Sequence, residues 1–197
     1  MRGAGRRCGR RQQAHQPLLL AVDRGPDQGL LDGLLRSQVL PVLRATGRPV
    51  LLVPAATPAT AVAPMVPRRV LVAVDGEPFG LAAAFRNLGW LLSSWLAAYI
   101  LAHIDLSREL PGAEGQQALV DVRASKLLLP ATPLVLCEVA DASPVTGILQ
   151  AIADTQADML VLIARLRSLW GELLPHSVMA AVLRHTPVLV LLLPAAG

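Results

Sequence analysis

The residues best placed to do chemistry stand at the ends of short apolar runs: Asp75, Gly76, His103, Asp105, Ile163 and Arg165. A histidine and a carboxylate two positions apart could begin a metal site or an acid–base pair. No third ligand with a recognisable spacing accompanies His103 and Asp105. We therefore interpret these two residues as a polar pair at the end of a strand.

Other reactive side chains are isolated in the sequence. His176 and His185 lie nine positions apart, which is not the spacing of two metal ligands on one helix face. Ser143 and Ser177 have no neighbouring base that would make either a nucleophile. Because Ser143 precedes Pro144, a favourable first helical residue, we expect its side chain to cap a helix.

The apolar runs alternate with stretches of helical periodicity, which is typical of strands joined by crossover helices. Since parallel strands need such crossovers, the sequence predicts an α/β fold with a five-stranded parallel doubly wound sheet. Its ligand crevice should lie beyond the carboxyl ends of the strands, where the strand order reverses. The predicted strands are 70–74, 99–104, 134–139, 159–163 and 188–193, and the predicted helices are 78–96, 114–129, one from 144, and 175–185.

The composition excludes several classes of protein and of partner. Hydrophobic residues make up 53% of the chain and aromatic residues 3%, which is unlike a disordered chain or a coiled coil. The net charge of +4 comes from five arginines in the first eleven residues, because the remainder holds thirteen basic and fourteen acidic residues. We interpret this arm as a solvated tail and expect no nucleic-acid partner. Two cysteines, Cys8 and Cys137, form no disulfide framework and suit a cytoplasmic location.

One segment, 88–104, requires a membrane test because its seventeen residues carry no formal charge. Ser93 and Ser94 lie near its centre, and Gly89 weakens the helix. We therefore predict an amphipathic helix followed by a buried strand, and no membrane partner.

The beginning of the chain repeats the plan of its end. The segment from Pro17 aligns with the segment from Ala157. Ser37 matches Ser177, and Val42-Leu43-Arg44 matches Val182-Leu183-Arg184. After a two-residue insertion, Pro49-Val50-Leu51 matches Pro187-Val188-Leu189. We predict a basic arm at 1–12, the C-terminal portion of a first domain at 13–53, a linker at 54–68 and a complete domain at 69–195. We expect Met1 to lie inside a longer ancestral domain, through truncation or a late start.

Three segments resemble the universal stress protein family in its tandem form, with a truncated first domain: RVLVAVDG from Arg69, ADMLVLI from Ala157 and HSVMAAVLRHTPVLVLLLP from His176. The resemblance covers 69–194 as a whole domain and 13–53 as a C-terminal portion. It implies a universal stress protein-like fold, similar to the adenine nucleotide alpha hydrolases, and a role in the stress response.

In nucleotide-binding members of that family, an acidic residue after the first strand contacts adenosine, and a G-x2-G-x9-G-[ST] loop holds the phosphates. Asp75 and Gly76 match the first element. With Ser177 at the hydroxyl position, bulkier residues occupy the three glycine positions and hinder the approach of backbone N–H groups to phosphate: Ile163, Leu166 and His176. A modified site would use Asp75, Gly76, Arg165, Arg167 and Ser177.

We therefore expect a non-enzymatic stress-response protein with no cofactor that associates with itself or with another protein. The alternative is an ATP-binding stress protein with the modified site, and a third hypothesis is an enzyme with an unrecognised active site. Exposed strand edges invite pairing. The family's last strands associate across a twofold or pseudo-twofold axis, which implies that Val50–Val53 and the segment from Val188 to Leu193 lie side by side, within one chain or in a dimer.

Overall fold

The computed structural model describes residues 17–24, 33, 35–54, 66–74, 77–81, 86–105, 113–141, 143–165 and 178–195. Its strands are β1 (Leu20–Asp23), β2 (Val50–Val53), β3 (Arg69–Ala73), β4 (Ala98–Asp105), β5 (Leu134–Ala140), β6 (Met159–Ala164) and β7 (Leu189–Pro194). Its α-helices are α1 (Leu40–Thr46), which continues a π-helical turn at Leu35–Val39, α2 (Arg86–Ser94), α3 (Ala113–Ala124), α4 (Pro144–Thr155) and α5 (Val178–His185).

The described strands form one seven-stranded sheet in the order β1-β2-β7-β6-β3-β4-β5. Strands β3 to β7 are parallel to one another, as crossover helices require, and the strand order reverses between β3 and β6. Strands β1 and β2 are parallel to each other, whereas β2 is antiparallel to β7. The predicted α/β class is confirmed and the sheet is mostly parallel. It has seven strands rather than the predicted five, because β1 and β2 extend it through an antiparallel junction.

Helices cover both faces of the sheet and create two apolar cores. Residues of α1, α4 and α5 pack on one face, and residues of α2 and α3 pack on the other. The central strand β3 is buried from Val70 to Ala73, which explains its unbroken aliphatic sequence. Full burial of each large aliphatic side chain contributes roughly 1.5–3 kcal/mol to folding.

The junction between β2 and β7 has a symmetric register. Leu51 pairs with Leu191, Val50 with Leu192, and Leu52 with Val190. The neighbouring pairs match as well, because Leu20 opposes Val50 in β1 and β2 just as Leu160 opposes Val190 in β6 and β7. The strand registers therefore match β1 and β2 to β6 and β7 with no insertion. They place Val50 at the position of Val190, whereas the sequence alignment, with its two-residue insertion, matched Val50 to Val188.

Two helices differ from their predicted limits for identifiable reasons. Residues 77–81 are not helical, although the sequence predicts a helix from Pro78. The backbone carbonyls of Glu77 and Pro78 instead accept hydrogen bonds from Arg165. The predicted helix 114–129 ends at Ala124, because Lys126 adopts a left-handed φ of 60° and the chain turns.

The cap of α4 also differs from the prediction. Ser143 precedes the helix, but its side chain makes no capping hydrogen bond. The carboxylate of Asp141 instead accepts hydrogen bonds from the Ser143 N–H at 2.9 Å and from the Thr146 hydroxyl at 2.8 Å. The expectation that Ser143 caps the helix with its side chain is wrong, and Asp141 instead forms a turn by bonding the N–H two residues later.

The segment predicted to be an amphipathic helix and a strand, 88–104, forms most of α2 and β4. None of the helices in the described ranges is both long enough and apolar enough to cross a membrane.

Arg24, which follows β1, ties the N-terminal segment to α5. Its guanidinium donates to the carbonyls of Leu183 and Thr186 at 3.0 Å each, and to that of Val188 at 3.2 Å. Two of these carbonyls belong to the end of α5 or follow it directly, where a cation also suits the helix dipole. Burial lowers the pKa of Arg24 from its ordinary value.

Candidate functional site

Among the described strands the order reverses between β3 and β6, and a doubly wound sheet forms its ligand crevice at the carboxyl ends of two such strands. The two strands are directly paired, with Ala73 opposite Leu162. Arg165 follows the last residue of β6, so its side chain begins at the edge of the crevice. Residues 77–81, which come shortly after β3, lie within its reach.

Arg165 bridges the crevice in this structure. Its guanidinium donates to the carbonyl of Glu77 at 2.7 Å and to that of Pro78 at 3.2 Å. Its Nε lies 3.4 Å from Oε2 of the Glu77 carboxylate. The Arg165 side chain is 22% exposed and that of Glu77 is 71% exposed, so the contact lies at the surface beside the ends of the two strands.

This bridge joins a residue that sequence reasoning selected to two that it missed. Asp75, Gly76, Arg167 and Ser177 lie outside the described residues, as do Leu166 and His176 of the substituted glycine positions. Arg165 is therefore the one candidate binding residue whose surroundings are described. Sequence analysis did not select Glu77 and Pro78, because their backbone carbonyls accept these hydrogen bonds and every residue type has such a carbonyl.

His103 and Glu114 form a second polar contact at the carboxyl end of β4. His103 is 6% exposed, and its Nε2 lies 3.8 Å from Oε2 of Glu114 in the first turn of α3. Among the described residues, His103 Nδ1 has no hydrogen-bond partner. Glu138 in β5 pairs with His103 across the strands. Its carboxylate occupies the space where a Cβ at Gly115 would lie.

His103 and Asp105, predicted to be a polar pair at the end of a strand, both lie at the carboxyl end of β4. The Asp105 backbone carbonyl accepts a hydrogen bond from the Asp141 N–H at 3.2 Å, whereas the described ion-pair contact of His103 is to Glu114. Within the described ranges, no three His, Cys, Asp or Glu side chains are arranged to hold a metal ion.

The fold and the crevice together define a class of protein, the doubly wound α/β proteins with a ligand crevice where the strand order reverses. Residues 67–194 match the model of the universal stress protein family. The chain belongs to this family, whose members are stress-response proteins. No curated protein matches the chain.

Solved structures of universal stress proteins are similar to this fold. One from Archaeoglobus fulgidus DSM 4304 has a TM-score of 0.60 and 19% identity, and the match covers 91% of this chain and 61% of that chain. A functionally unknown protein from Pseudomonas aeruginosa PAO1 has a TM-score of 0.54 and 22% identity, over 94% of this chain and 66% of that one. This chain thus spans less than two thirds of the length of either protein.

A shorter universal stress protein, solved in complex with cAMP, matches with a TM-score of 0.51 and 23% identity. The match covers 66% of this chain and 98% of that chain. Identities of this size establish the common fold, while function depends on the residues at the site.

Proposed function

We propose that this chain is a non-enzymatic stress-response protein that acts through association and has no nucleotide cofactor. The observation that carries the proposal is the bridge from Arg165 to the carbonyls of Glu77 and Pro78. A ligand entering between β3 and β6 would have to displace this bridge. Hydrogen bonds to a charged group contribute about 1.5–3 kcal/mol each, so the displacement would subtract from the affinity of the ligand.

The sequence of the loop that follows β6 supports the same proposal. A phosphate-binding loop brings several backbone N–H groups to one anion, and glycine permits this because it has no Cβ. Here Ile163, Leu166 and His176 stand where the family's nucleotide-binding members have glycine. Ile163 is the last but one residue of β6, and its side chain packs against the α2 and α3 core.

The alternative function is adenine-nucleotide binding through a modified site. Its supporting observations are the Asp75-Gly76 pair and the cation of Arg165 at the mouth of the crevice. In this arrangement Arg165 would exchange the Glu77 carboxylate for a phosphate, and Arg167 and Ser177 would complete the site.

A thermal-shift titration with ATP and cAMP separates the two functions. We expect neither nucleotide to raise the melting temperature of the protein at millimolar concentration, because a ligand of the native state stabilises it only near or above its Kd. Arg165→Ala should lower the melting temperature without creating a dependence on nucleotide. Arg123→Ala is the matched control, since its guanidinium bonds the Thr132 carbonyl away from the crevice. A rise with ATP that Asp75→Ala abolishes would establish the alternative.

The proposed domain organisation has four regions: an arm at 1–12, the C-terminal portion of a first universal stress protein-like domain at 13–53, a linker at 54–68 and a complete domain at 69–195. The symmetric register of β2 and β7 supports it, because duplicated domains joined about a twofold axis would pair equivalent strands in this way. We further propose a cytoplasmic location.

A further inference from the structure

The outer edge of β5 is the longer of the two edges of the described sheet. Strands β1 and β5 lie at the two ends of the strand order, and β5 has seven residues where β1 has four. Within the described ranges, β5 pairs with β4 and with no other strand. The backbone N–H and C=O groups that point away from β4 therefore form a row that another strand can complete.

Strand β5 has few of the features that discourage pairing at a sheet edge. Its register with β4 is unbroken over all seven residues, it contains no proline or lysine, and its single charge is Glu138. Leu134 and Leu136 pack in the core that α2 and α3 cover, and Val139 packs in the opposite core. Val135 lies on the same face as Val139 but is 63% exposed.

The sequence of β5 is self-complementary in an antiparallel pair centred on Cys137. In this register a second copy of β5 pairs with all seven residues, because residue 134 lies opposite residue 140. Val135 lies opposite Val139 of the second copy, so a valine that is exposed in the single chain gains an apolar neighbour. Glu138 lies opposite Leu136, which keeps the two Glu138 carboxylates apart.

The charges beside this edge also favour a second copy that runs in the opposite direction. Glu114 lies in the first turn of α3, and the Glu138 carboxylate lies next to Gly115. Arg123 lies in the last turn of α3 and bonds the carbonyl of Thr132, just before β5. The edge is therefore acidic at one end and basic at the other, and a twofold axis brings the unlike ends together.

A second exposed valine lies on the other face of the same edge. Val120 is more than half exposed and precedes Arg123 by three residues, so both lie on one side of α3. In the antiparallel pair the two α3 helices run in opposite directions beside the axis. The pairing thus covers Val120 on one face of the sheet and Val135 on the other.

We propose that a second copy of this chain pairs with the outer edge of β5, antiparallel and centred on Cys137. This β5 junction deepens the proposed function, since it rests on association as the mode of action and supplies its surface. It is independent of whether the crevice binds nucleotide. One like charge opposes the junction, because Asp154 acts on the Cys137 thiol and so lies near its own copy at the axis. The dimer is therefore reversible.

The native thiol at the axis allows a test by disulfide trapping. In a full-length Cys8→Ser chain, Cys137 reports the β5 junction because it would face its own copy. Val135→Cys, in a chain with Cys8→Ser and Cys137→Ser, is the matched control. It lies on the same face and is more exposed, but it would face residue 139, and its own copy lies beyond the roughly 7 Å Cα separation that a disulfide can join.

We expect Cys137 to give about tenfold more covalent dimer than Val135→Cys when both chains are oxidised with diamide at mildly alkaline pH, because only the former meets the distance requirement. Random collision between chains would favour the more exposed cysteine instead. As much dimer from Val135→Cys as from Cys137 would overturn the proposal.

A pair of introduced cysteines repeats the comparison without Cys137, whose raised pKa slows oxidation. With Cys8→Ser and Cys137→Ser, a Val135→Cys/Val139→Cys chain should form covalent dimers, since these positions face each other across the junction. Within one chain they lie four residues apart on a strand, too far for a disulfide. A double variant that cross-links no better than its two single variants would contradict the β5 junction.

Light scattering provides a readout that needs no cysteine. Val135→Lys should raise the dissociation constant of the dimer about tenfold or more, because it places an ammonium against Val139 of the second copy. Trp90→Lys is the control, since Trp90 is similarly exposed but lies on α2 rather than at this edge. A parent chain that stays monomeric, or equal weakening by two variants with native circular dichroism, would overturn the proposal. Nucleotide titration is a separate measurement, so such a result leaves the proposal about the crevice intact.

Discussion

Tyr99, the single tyrosine of the chain, shows how one buried side chain links a strand to a helix. It is 2% exposed in β4, and its hydroxyl donates to the backbone carbonyl of Leu92 in α2. Burial raises the pKa of Tyr99 well above its ordinary value of 10.0, because the ionised form is disfavoured in the core. The neutral phenol therefore stabilises the native state.

This raised pKa predicts a specific alkaline instability. The contribution of Tyr99 is fully present below pH 10 and is lost as the pH rises above that value, since the unfolded chain then releases a proton that the native state retains. Tyr99→Phe should cost about 0.5–1.5 kcal/mol at neutral pH, through the lost hydrogen bond, but should reduce the fall in stability above pH 10. Urea unfolding at several pH values measures both effects. The same alkaline fall in Tyr99→Phe as in the parent would contradict this explanation.

Cys137 gives a second prediction for a single residue. Burial and the nearby Asp154 carboxylate raise the pKa of the Cys137 thiol. Because the thiolate is the reactive form, alkylation at neutral pH should be slow in a Cys8→Ser chain, and Asp154→Asn should increase its rate by about twofold or more. Asp121→Asn is the control, since Gln117 bonds Asp121 as Gln150 bonds Asp154. Equal rates in the three chains would exclude the electrostatic effect.

At the level of elements, the strands could be predicted more closely than the helices. Predicted strand 134–139 is Leu134–Ala140, and 159–163 is Met159–Ala164, because an aliphatic run between turn residues has few other structures available. The start of α2 could not be predicted. Residues 77–81, predicted to begin this helix, instead bond Arg165 through the carbonyl of Glu77, 88 positions away, and local periodicity contains no information on such a contact.

Gly89 in α2 packs closely against a backbone turn. From the sequence, this glycine was interpreted only as a residue that weakens the helix. A Cβ at Gly89 would lie 3.0 Å from the Lys126 carbonyl oxygen and 3.2 Å from that of Leu127. Gly89→Ala should therefore lower the free energy of unfolding by about 1–3 kcal/mol, despite the better helix propensity of alanine.

Gly115→Ala in α3 is the control for this prediction. Its Cβ would meet mainly the Glu138 carboxylate, the flexible end of an exposed side chain that can move away. We expect a change of less than about 1 kcal/mol, because the gain in helix propensity offsets the adjustment. Chemical denaturation of both variants tests the comparison, and a larger loss for Gly115→Ala would show that the backbone near Gly89 yields more easily than its geometry indicates.

For the whole molecule, the family match covers β3 to β7, while β1 and β2 precede the matched residues. The repeat in the sequence indicated that these strands are related to β6 and β7. The antiparallel junction adds the symmetric register, which periodicity cannot provide because it describes each strand alone. The surroundings of the candidate residue Arg165 were the least predictable, since its hydrogen bonds join parts of the chain that are distant in sequence.

The N-terminal segment should depend on the rest of the molecule for its structure. Its two short strands and α1 bury their apolar residues against α5 and β7, and an isolated pair of strands is at best marginally stable in water. A peptide of residues 13–53 should therefore be disordered by far-UV circular dichroism and show no cooperative melting. A cooperative transition in the peptide would mean that the segment is an independent folding unit.

The reversal of chain direction at the junction of β2 and β7 gives the molecule two dissimilar poles. The carboxyl ends of β3 and β6, with Arg165, lie at one pole. Those of β1 and β2 lie at the other, together with Arg24 and the last turn of α5. The two ends of the sheet therefore carry different strand termini and different arginines, separated by the length of the strands, so Arg24 and Arg165 can be varied independently.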